Sequence, residues 1–366
     1  MDVGHNPKLR FGMSLAEATS DKRFQPKITG LPPLPVVDFA KVGKQPPKVL
    51  PSPAGALPKA DTVVITWTDS EWAALQHVFC AGGSAMPYSE STRSAWPGWQ
   101  KYAANLPSNR PKGWDYWGQY QLVEINGKNV LLFKSNTHLD YPGEATLVAL
   151  IKLLISDVQP RLILSAGTAG GAKPTDHIGT VRAVSAGTLY DAHDKPSNWA
   201  EYKNGWTASN TVLNSAKFKQ LLFPVPTKLS DLSKLRSQFN AYYQKDYGNL
   251  SMAQLDPKKL NIADPSPKIF NQTGGNDSLL TASTFIVATI AGNYQEFTVV
   301  EMDDAIIGEA CKGTGVGFGF IRNLSDPAQN GALPTKAPGS WGSAVYDVYG
   351  FYTAYNGALA TWAMLA

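Results

Sequence analysis

Apolar residues follow two rhythms along this chain. Short continuous runs at residues 62–67, 161–165, 297–300 and 316–321 read as strands buried on both faces. Between them, residues 143–158 place Ala145, Leu147, Val148, Leu150, Ile151, Leu154 and Ile155 on one helical side, and the pattern stops before Pro160. Thr68, Asp69, Ser70 and Glu71 supply N-cap chemistry for a helix over 72–79. Residues 304–312 predict a further helix, and an amphipathic one closes the chain near 343–365. Residues 119–124 and 130–134 flank Asn126-Gly127, a hairpin signal. Residues 179–185 and 278–289 add strands. Strands alternating with helices predict an α/β fold with a mainly parallel or mixed sheet. No internal repeat interrupts the series.

Three stretches lack either rhythm. Residues 1–60 are rich in proline, which fixes φ and removes backbone donors, so they read as an extended arm before a fold that begins at Asp61. Residues 85–118 are loop-like, with Trp96, Trp99, Trp114 and Trp117 crowded together; packing is the preferred reading, a wall for a flat ligand the other. A polar tract runs from about 190 to 277.

Composition narrows the function classes. The chain has 366 residues, 43% hydrophobic and 17% charged, enough for a sizeable core. Its formal charge of +4 is small and its basic residues are scattered, which argues against a nucleic-acid binder. No apolar run has the roughly 20 residues of a membrane span, and the first 26 residues hold no signal-peptide core. Cys80 and Cys311 fit a reducing compartment, so a cytoplasmic protein is expected. His138, His177 and His193 lack metal-ligand spacing, and neither a metal nor a cofactor is expected.

Four segments carry candidate chemistry. Ser165-Ala166-Gly167-Thr168-Ala169-Gly170-Gly171 leaves a buried strand and turns, presenting amides and a hydroxyl at a sheet's C-terminal edge. The spacing is not that of a dinucleotide fingerprint, and an ordinary strand-to-turn is an even alternative. Val300-Glu301-Met302-Asp303-Asp304 leaves one strand and opens a helix. Asp303 or Asp304 as N-cap is the simple reading, with the other acid left to grip sugar hydroxyls. Ile321-Arg322-Asn323-Leu324-Ser325-Asp326 follows another buried strand. Its Arg and Asp either pair at the surface or, in a cleft, let the Asp donate a proton. Glu71 is a candidate base, or simply a first-turn acid of its helix. The glycines of residues 313–319 read as a strand packed closely on a neighbour.

Taken in order, these segments resemble the nucleoside phosphorylase/nucleosidase superfamily. The resemblance covers residues 61–190 and 278–366 loosely. It rests on Glu71, the 165–171 run, Gly179-Thr180-Val181, Phe285-Ile286, Val300-Glu301-Met302-Asp303, and Arg322 with Ser325-Asp326. It implies a three-layer α/β/α sandwich around a mixed, partly barrel-like sheet. A single catalytic domain would span 61–366, with an insertion at about 190–277, in a homo-oligomer acting on a small-molecule nucleoside. It further implies cleavage of a purine N-glycosidic bond. Asp326 would protonate the leaving base with Ser325 orienting it, Phe285 would stack on the base and Ile286 would read its edge. Met302 would lie under the ribose, and Asp303 stands where the family usually has a glutamate on the ribose hydroxyls. The loop after the first strand, Trp67 to Glu71, has neither the glycine nor the arginine of the phosphorylases, and Ser165 stands where they carry an arginine. Hydrolysis is therefore expected: Glu71 activates water, Thr168 and Arg322 help hold it, and Gly167 joins Thr168 in binding substrate. A phosphate-dependent phosphorylase is the runner-up. A non-catalytic nucleoside-binding or storage protein is the rival of another class.

Overall fold

The computed structural model describes residues 34–81, 96–173, 176–191, 193–223, 267–283, 294–326 and 338–366. The strands among them are β1 (Lys48–Val49), β2 (Thr62–Thr66), β3 (Gln100–Tyr102), β4 (Gly118–Ile125), β5 (Lys128–Ser135) and β6 (Leu162–Gly171). They continue as β7 (Val181–Val184), β8 (Ala186–Leu189), β9 (Glu201–Lys203), β10 (Ile269–Asn271), β11 (Leu279–Thr281), β12 (Val299–Glu301) and β13 (Gly317–Asp326). The α-helices are α1 (Asp69–Leu75), α2 (Glu144–Val158), the single turn α3 (Ala216–Lys219), α4 (Asp304–Cys311) and α5 (Pro338–Leu365).

One mixed sheet joins the strands, in the order β1-β4-β5-β2-β6-β12-β11-β8-β9. Strand β6 is the hinge of the topology. It runs parallel to β2 and β13 and antiparallel to β12. β13 continues antiparallel to β7, which gives way at Ser185 to β8, and β8 leads through β11 and β12 back to β6. The pairings thus close a ring beside the open edge carried by β2, β5 and β4.

Strand alternation splits the core into two layers. Val64, Leu132, Leu164 and Ile321 face one cluster with Trp72 and Leu75 of α1 and Tyr352, Leu359 and Trp362 of α5. Their sequence neighbours Val63, Ile65, Leu131, Ile163 and Phe320 face the other, with Leu147, Leu150, Ile151 and Leu154 of α2 and Ile306 and Ile307 of α4. Successive side chains of a strand point to opposite faces, so a continuously apolar strand implies a helix layer on each side. That is the expected α/β/α sandwich.

Several elements differ in extent from the sequence reading. The 165–171 run is strand, not turn, because β13 pairs with β6 as far as Gly170 while β2 and then β12 pair with its other edge. The first helix is shorter in α form and ends in a π turn over Gln76–Cys80. The Pro-rich arm is tied down from residue 34 on. Leu34, Val37 and Phe39 are buried, Phe39 meets Trp362 edge-on at 4.8 Å, and β1 pairs antiparallel with β4. The tryptophans pack as expected, Trp114 against Trp117 at 5.0 Å and Trp72 against Trp99 at 5.4 Å. Gly319 also fits its structural reading, since a Cβ there would run into the Trp206 ring. No helix among the described residues is long and apolar enough to cross a membrane.

Candidate active site

The turn from β2 into α1 begins the site. Thr68 Oγ1 accepts from the Glu71 amide at 3.3 Å, and Glu71 Oε2 accepts from the Thr68 amide at 2.8 Å, a capping box. The same Oε2 takes the Trp67 amide at 2.9 Å and the Thr66 hydroxyl at 3.1 Å. Oε1 reaches across the sheet to the Thr168 amide at 2.6 Å and the Thr168 hydroxyl at 2.7 Å. Glu71 is thus both a cap and a junction between β2 and β6. Five donors converge on one carboxylate.

The register of β13 on β6 places Arg322 opposite Gly167. The guanidinium crosses that glycine, where a Cβ would collide with Nη1 and sit 3.2 Å from Glu71 Oε1. Arg322 is buried, and each of its three side-chain nitrogens has a partner. Nε donates to Asp304 Oδ2 at 2.7 Å, Nη2 to Asp304 Oδ1, and Nη1 to the Thr168 carbonyl at 3.1 Å. Nη2 also meets Glu301 Oε2 at 2.9 Å and Ser165 Oγ at 3.1 Å. Arg322 therefore lies in the interior and pairs with Asp304.

The start of α4 corrects a second expectation. Neither Asp303 nor Asp304 caps the helix with its side chain. Glu301 does so, its Oε2 accepting the Asp303 amide at 2.7 Å and the Asp304 amide at 3.1 Å. Thr281 supports this cap, donating its hydroxyl to Glu301 Oε1 and accepting the Ala305 amide at 2.9 Å. Relieved of capping, Asp304 turns to Arg322. Asp303 turns to the loop after β5, where Oδ1 accepts the Leu139 amide at 2.9 Å and Oδ2 lies 3.2 Å from His138 Nδ1.

Glu71, Gly167, Thr168 and Arg322 are thus in mutual contact, with Asp303 beside them through the turn that carries Glu301 and Asp304. Ser325 is buried and its hydroxyl reaches the Ala169 carbonyl at 3.4 Å, while Met302 is half-buried in the same turn as Asp303. Asp326 is the last residue of β13, and its backbone pairs with Gly170; its side chain lies outside the described part. Phe285 and Ile286 lie outside the described residues.

Sequence reasoning missed Lys134, His138, Ser165, Thr281 and the role of Asp304. Lys134 ends an apolar strand, a signal in itself. It is buried, donates to the Ser135 carbonyl at 2.7 Å, and burial lowers its pKa against the opposing pull of Asp69, Glu71 and Asp303. The loop after β5 also holds unpartnered buried atoms: Asn136 Oδ1, Thr137 Oγ1 and His138 Nε2. A dry unsatisfied group of this kind costs about 1–3 kcal/mol.

Two carboxylates share one guanidinium here, and burial raises the pKa of each. The Glu301 carboxyl is pushed up to about 8 by burial and by the charge of Asp304, against the pull of Arg322. Asp304 is raised in the same direction. Burial disfavours a charge on His138, but Asp303 outweighs it and leaves the ring above its ordinary value. A group whose folded pKa is raised stabilises the fold in full below its unfolded pKa and loses that contribution as pH rises through the folded value. Denaturant midpoints are therefore expected to fall as pH climbs from about 4.5 towards about 8. Glu301→Gln should remove part of that slope and His138→Gln another part; a flat wild-type profile would contradict the shared-charge arrangement.

No protein-family model matches the sequence, and no curated protein matches it. Among solved structures, the chain is similar to a 5′-methylthioadenosine/S-adenosylhomocysteine nucleosidase from Neisseria meningitidis in complex with methylthio-immucillin-A. That likeness has 13% identity and a TM-score of 0.44, and covers 83% of this chain and 98% of that one. Futalosine hydrolase of Helicobacter pylori is similar at 11% identity and TM-score 0.45, covering 82% of this chain and 96% of that one. A methylthioadenosine/S-adenosylhomocysteine nucleosidase from Colwellia psychrerythraea, in complex with adenine, is similar at 16% identity and TM-score 0.42, covering 85% and 96%.

Proposed function

We propose that this chain is a purine nucleosidase, hydrolysing an N-glycosidic bond to free base and sugar. The observation that carries the reading is the state of Arg322. Phosphorolysis needs cationic donors left over for phosphate, and this guanidinium is already neutralised by Asp304 and Glu301. With Glu71 and Asp303 close by, and with burial working against a charge on Lys134, an anion would enter a site dominated by carboxylates. Water meets no such penalty.

In this reading Glu71 takes a proton from water as the Thr168 hydroxyl turns to hold it, and Gly167 leaves the room. Asp326, oriented by Ser325, protonates the departing base. Phe285 and Ile286 receive the base, while Met302 and Asp303 lie on the sugar side. Cleavage passes through an oxocarbenium-like sugar, so carboxylates beside it and a proton for the leaving group lower the barrier. A cytoplasmic homo-oligomer belongs to the same reading.

A second reading has its own support. Five protein donors reach the Glu71 carboxylate, as they would a structural one, and this favours a non-catalytic nucleoside-binding protein. One experiment separates the three possibilities. Adenosine, inosine, guanosine and methylthioadenosine are incubated with the enzyme, with and without phosphate. Base release without phosphate is expected. Release that strictly requires phosphate would establish the phosphorylase, and calorimetric binding without release would establish the binding protein.

A further inference from the structure

His138 is a buried titratable group that the reading above leaves unused. It follows β5 in a loop at the same edge of the sheet as the turn from β2, and it is only 5% exposed. Two contacts fix its ring. Asp303 Oδ2 lies 3.2 Å from Nδ1, and the Trp67 ring lies 5.7 Å away, tilted by 50°. Asp303 is itself pinned by the Leu139 amide at 2.9 Å, so the carboxylate and the ring it orients move as one unit. Trp67 connects this unit to the rest of the site, since its Nε1 donates to Ser165 Oγ at 2.9 Å and Ser165 also receives Arg322.

Among the described residues Nε2 has no partner although it is buried, and Oγ1 of Thr137, next in sequence, has none either. His77 Nδ1 is buried and unpartnered too, but its ring packs against Tyr355, whereas His138 belongs to a loop in which Asn136 Oδ1 and Thr137 Oγ1 are unpartnered as well. Here a carboxylate receives Nδ1–H, which leaves Nε2 an acceptor in the neutral ring and a donor in the protonated ring that Asp303 favours. Such a nitrogen, next to an aspartate whose own oxygens are occupied, suits a ligand that brings hydroxyls, which both donate and accept.

We propose that His138, oriented by Asp303, binds a sugar hydroxyl of the substrate through Nε2. The inference rests on the nucleosidase reading and adds a residue to it. It also assigns Asp303 a different part: the aspartate positions the imidazole, and the imidazole touches the sugar. Thr137 lies next in the chain as a second hydroxyl contact.

The test compares kcat/KM for adenosine, 2′-deoxyadenosine and 3′-deoxyadenosine. Wild type is expected to prefer adenosine over at least one deoxy analogue by about tenfold or more, because a site built to pair a hydroxyl rejects the analogue lacking it. His138→Ala should collapse that preference to within about threefold, and Asp303→Asn should weaken it. His138→Gln, which places a polar atom near Nε2, should keep part of it. A merely structural defect lowers all three substrates alike and leaves the ratio unchanged. An active His138→Ala or His138→Gln enzyme with the full wild-type ratio would overturn the assignment while leaving the nucleosidase intact. Should wild type spare adenosine, the same series is run on whichever of the four nucleosides above it cleaves, and release of base from none of those four would overturn the nucleosidase reading itself.

Discussion

Arg322→Met is expected to destabilise the protein by about 3–5 kcal/mol and to abolish base release. The variant leaves Asp304 and Glu301 buried side by side with their guanidinium gone, and an uncompensated buried charge is what makes breaking such a cluster costly. Against a total stability of about 5–15 kcal/mol, that loss is a large fraction of the fold. Arg322→Lys keeps the charge but loses the two-pronged contact to Asp304, so its loss should be smaller and its activity still poor. The double variant Arg322→Met with Asp304→Leu removes both members of the closest pair. It should recover part of the stability and none of the activity. Guanidinium denaturation gives the free energies. A loss under about 1 kcal/mol for Arg322→Met, the range of exposed pairs, would mean that water reaches the cluster.

The fold was largely legible because its signals are local. The apolar run of β2, the Asn126-Gly127 hairpin and the helical spacing of α2 each follow from the conformational needs of a few neighbouring residues. The three-layer arrangement followed from strands apolar on both faces. The extent of β6 was not legible. Gly167 to Gly171 reads as a turn by local propensity, and only pairing with strands far away in the chain keeps it extended. The arm was obscured for a related reason. Proline removes local signals, while the burial of Leu34 and Phe39 depends on α5 at the other end of the chain.

The candidate site divides along the same line. Residue types and their order brought Glu71, Thr168, Arg322 and Asp303 into view, but not their partners. Three acids within four residues left open which one caps α4. The answer came from Thr281, a residue of β11 that supports Glu301 from the neighbouring strand. Once Glu301 serves the helix, Asp304 is free to neutralise Arg322 and Asp303 is free to hold His138. His138 offered no spacing to read, because its partner lies 165 residues away. The chemistry of this site is therefore set by which acid takes which partner, a choice that is tertiary throughout.

Gly167→Ala should be the most damaging single-methyl change in the molecule's central strand. The added carbon would collide with Arg322 Nη1 and press on Glu71 Oε1 at 3.2 Å. Neither side chain has room to yield. Asp304, Glu301 and the Thr168 carbonyl hold Arg322, and the capping box holds Glu71. Overpacking of this kind costs about 1–3 kcal/mol. Base release should fall by about 100-fold or more, since displacements near 1 Å at reacting groups have effects of that size. The collision requires the guanidinium, which gives a sharper test. In the double variant Gly167→Ala with Arg322→Met the clashing atom is absent, so the two stability losses should sum to more than the loss of the pair by about 1 kcal/mol or more. Strict additivity would mean that Arg322 does not cross Gly167 in solution. Full activity in Gly167→Ala would remove this crossing from the reaction, and with it the case for Glu71, Thr168 and Arg322 as one site.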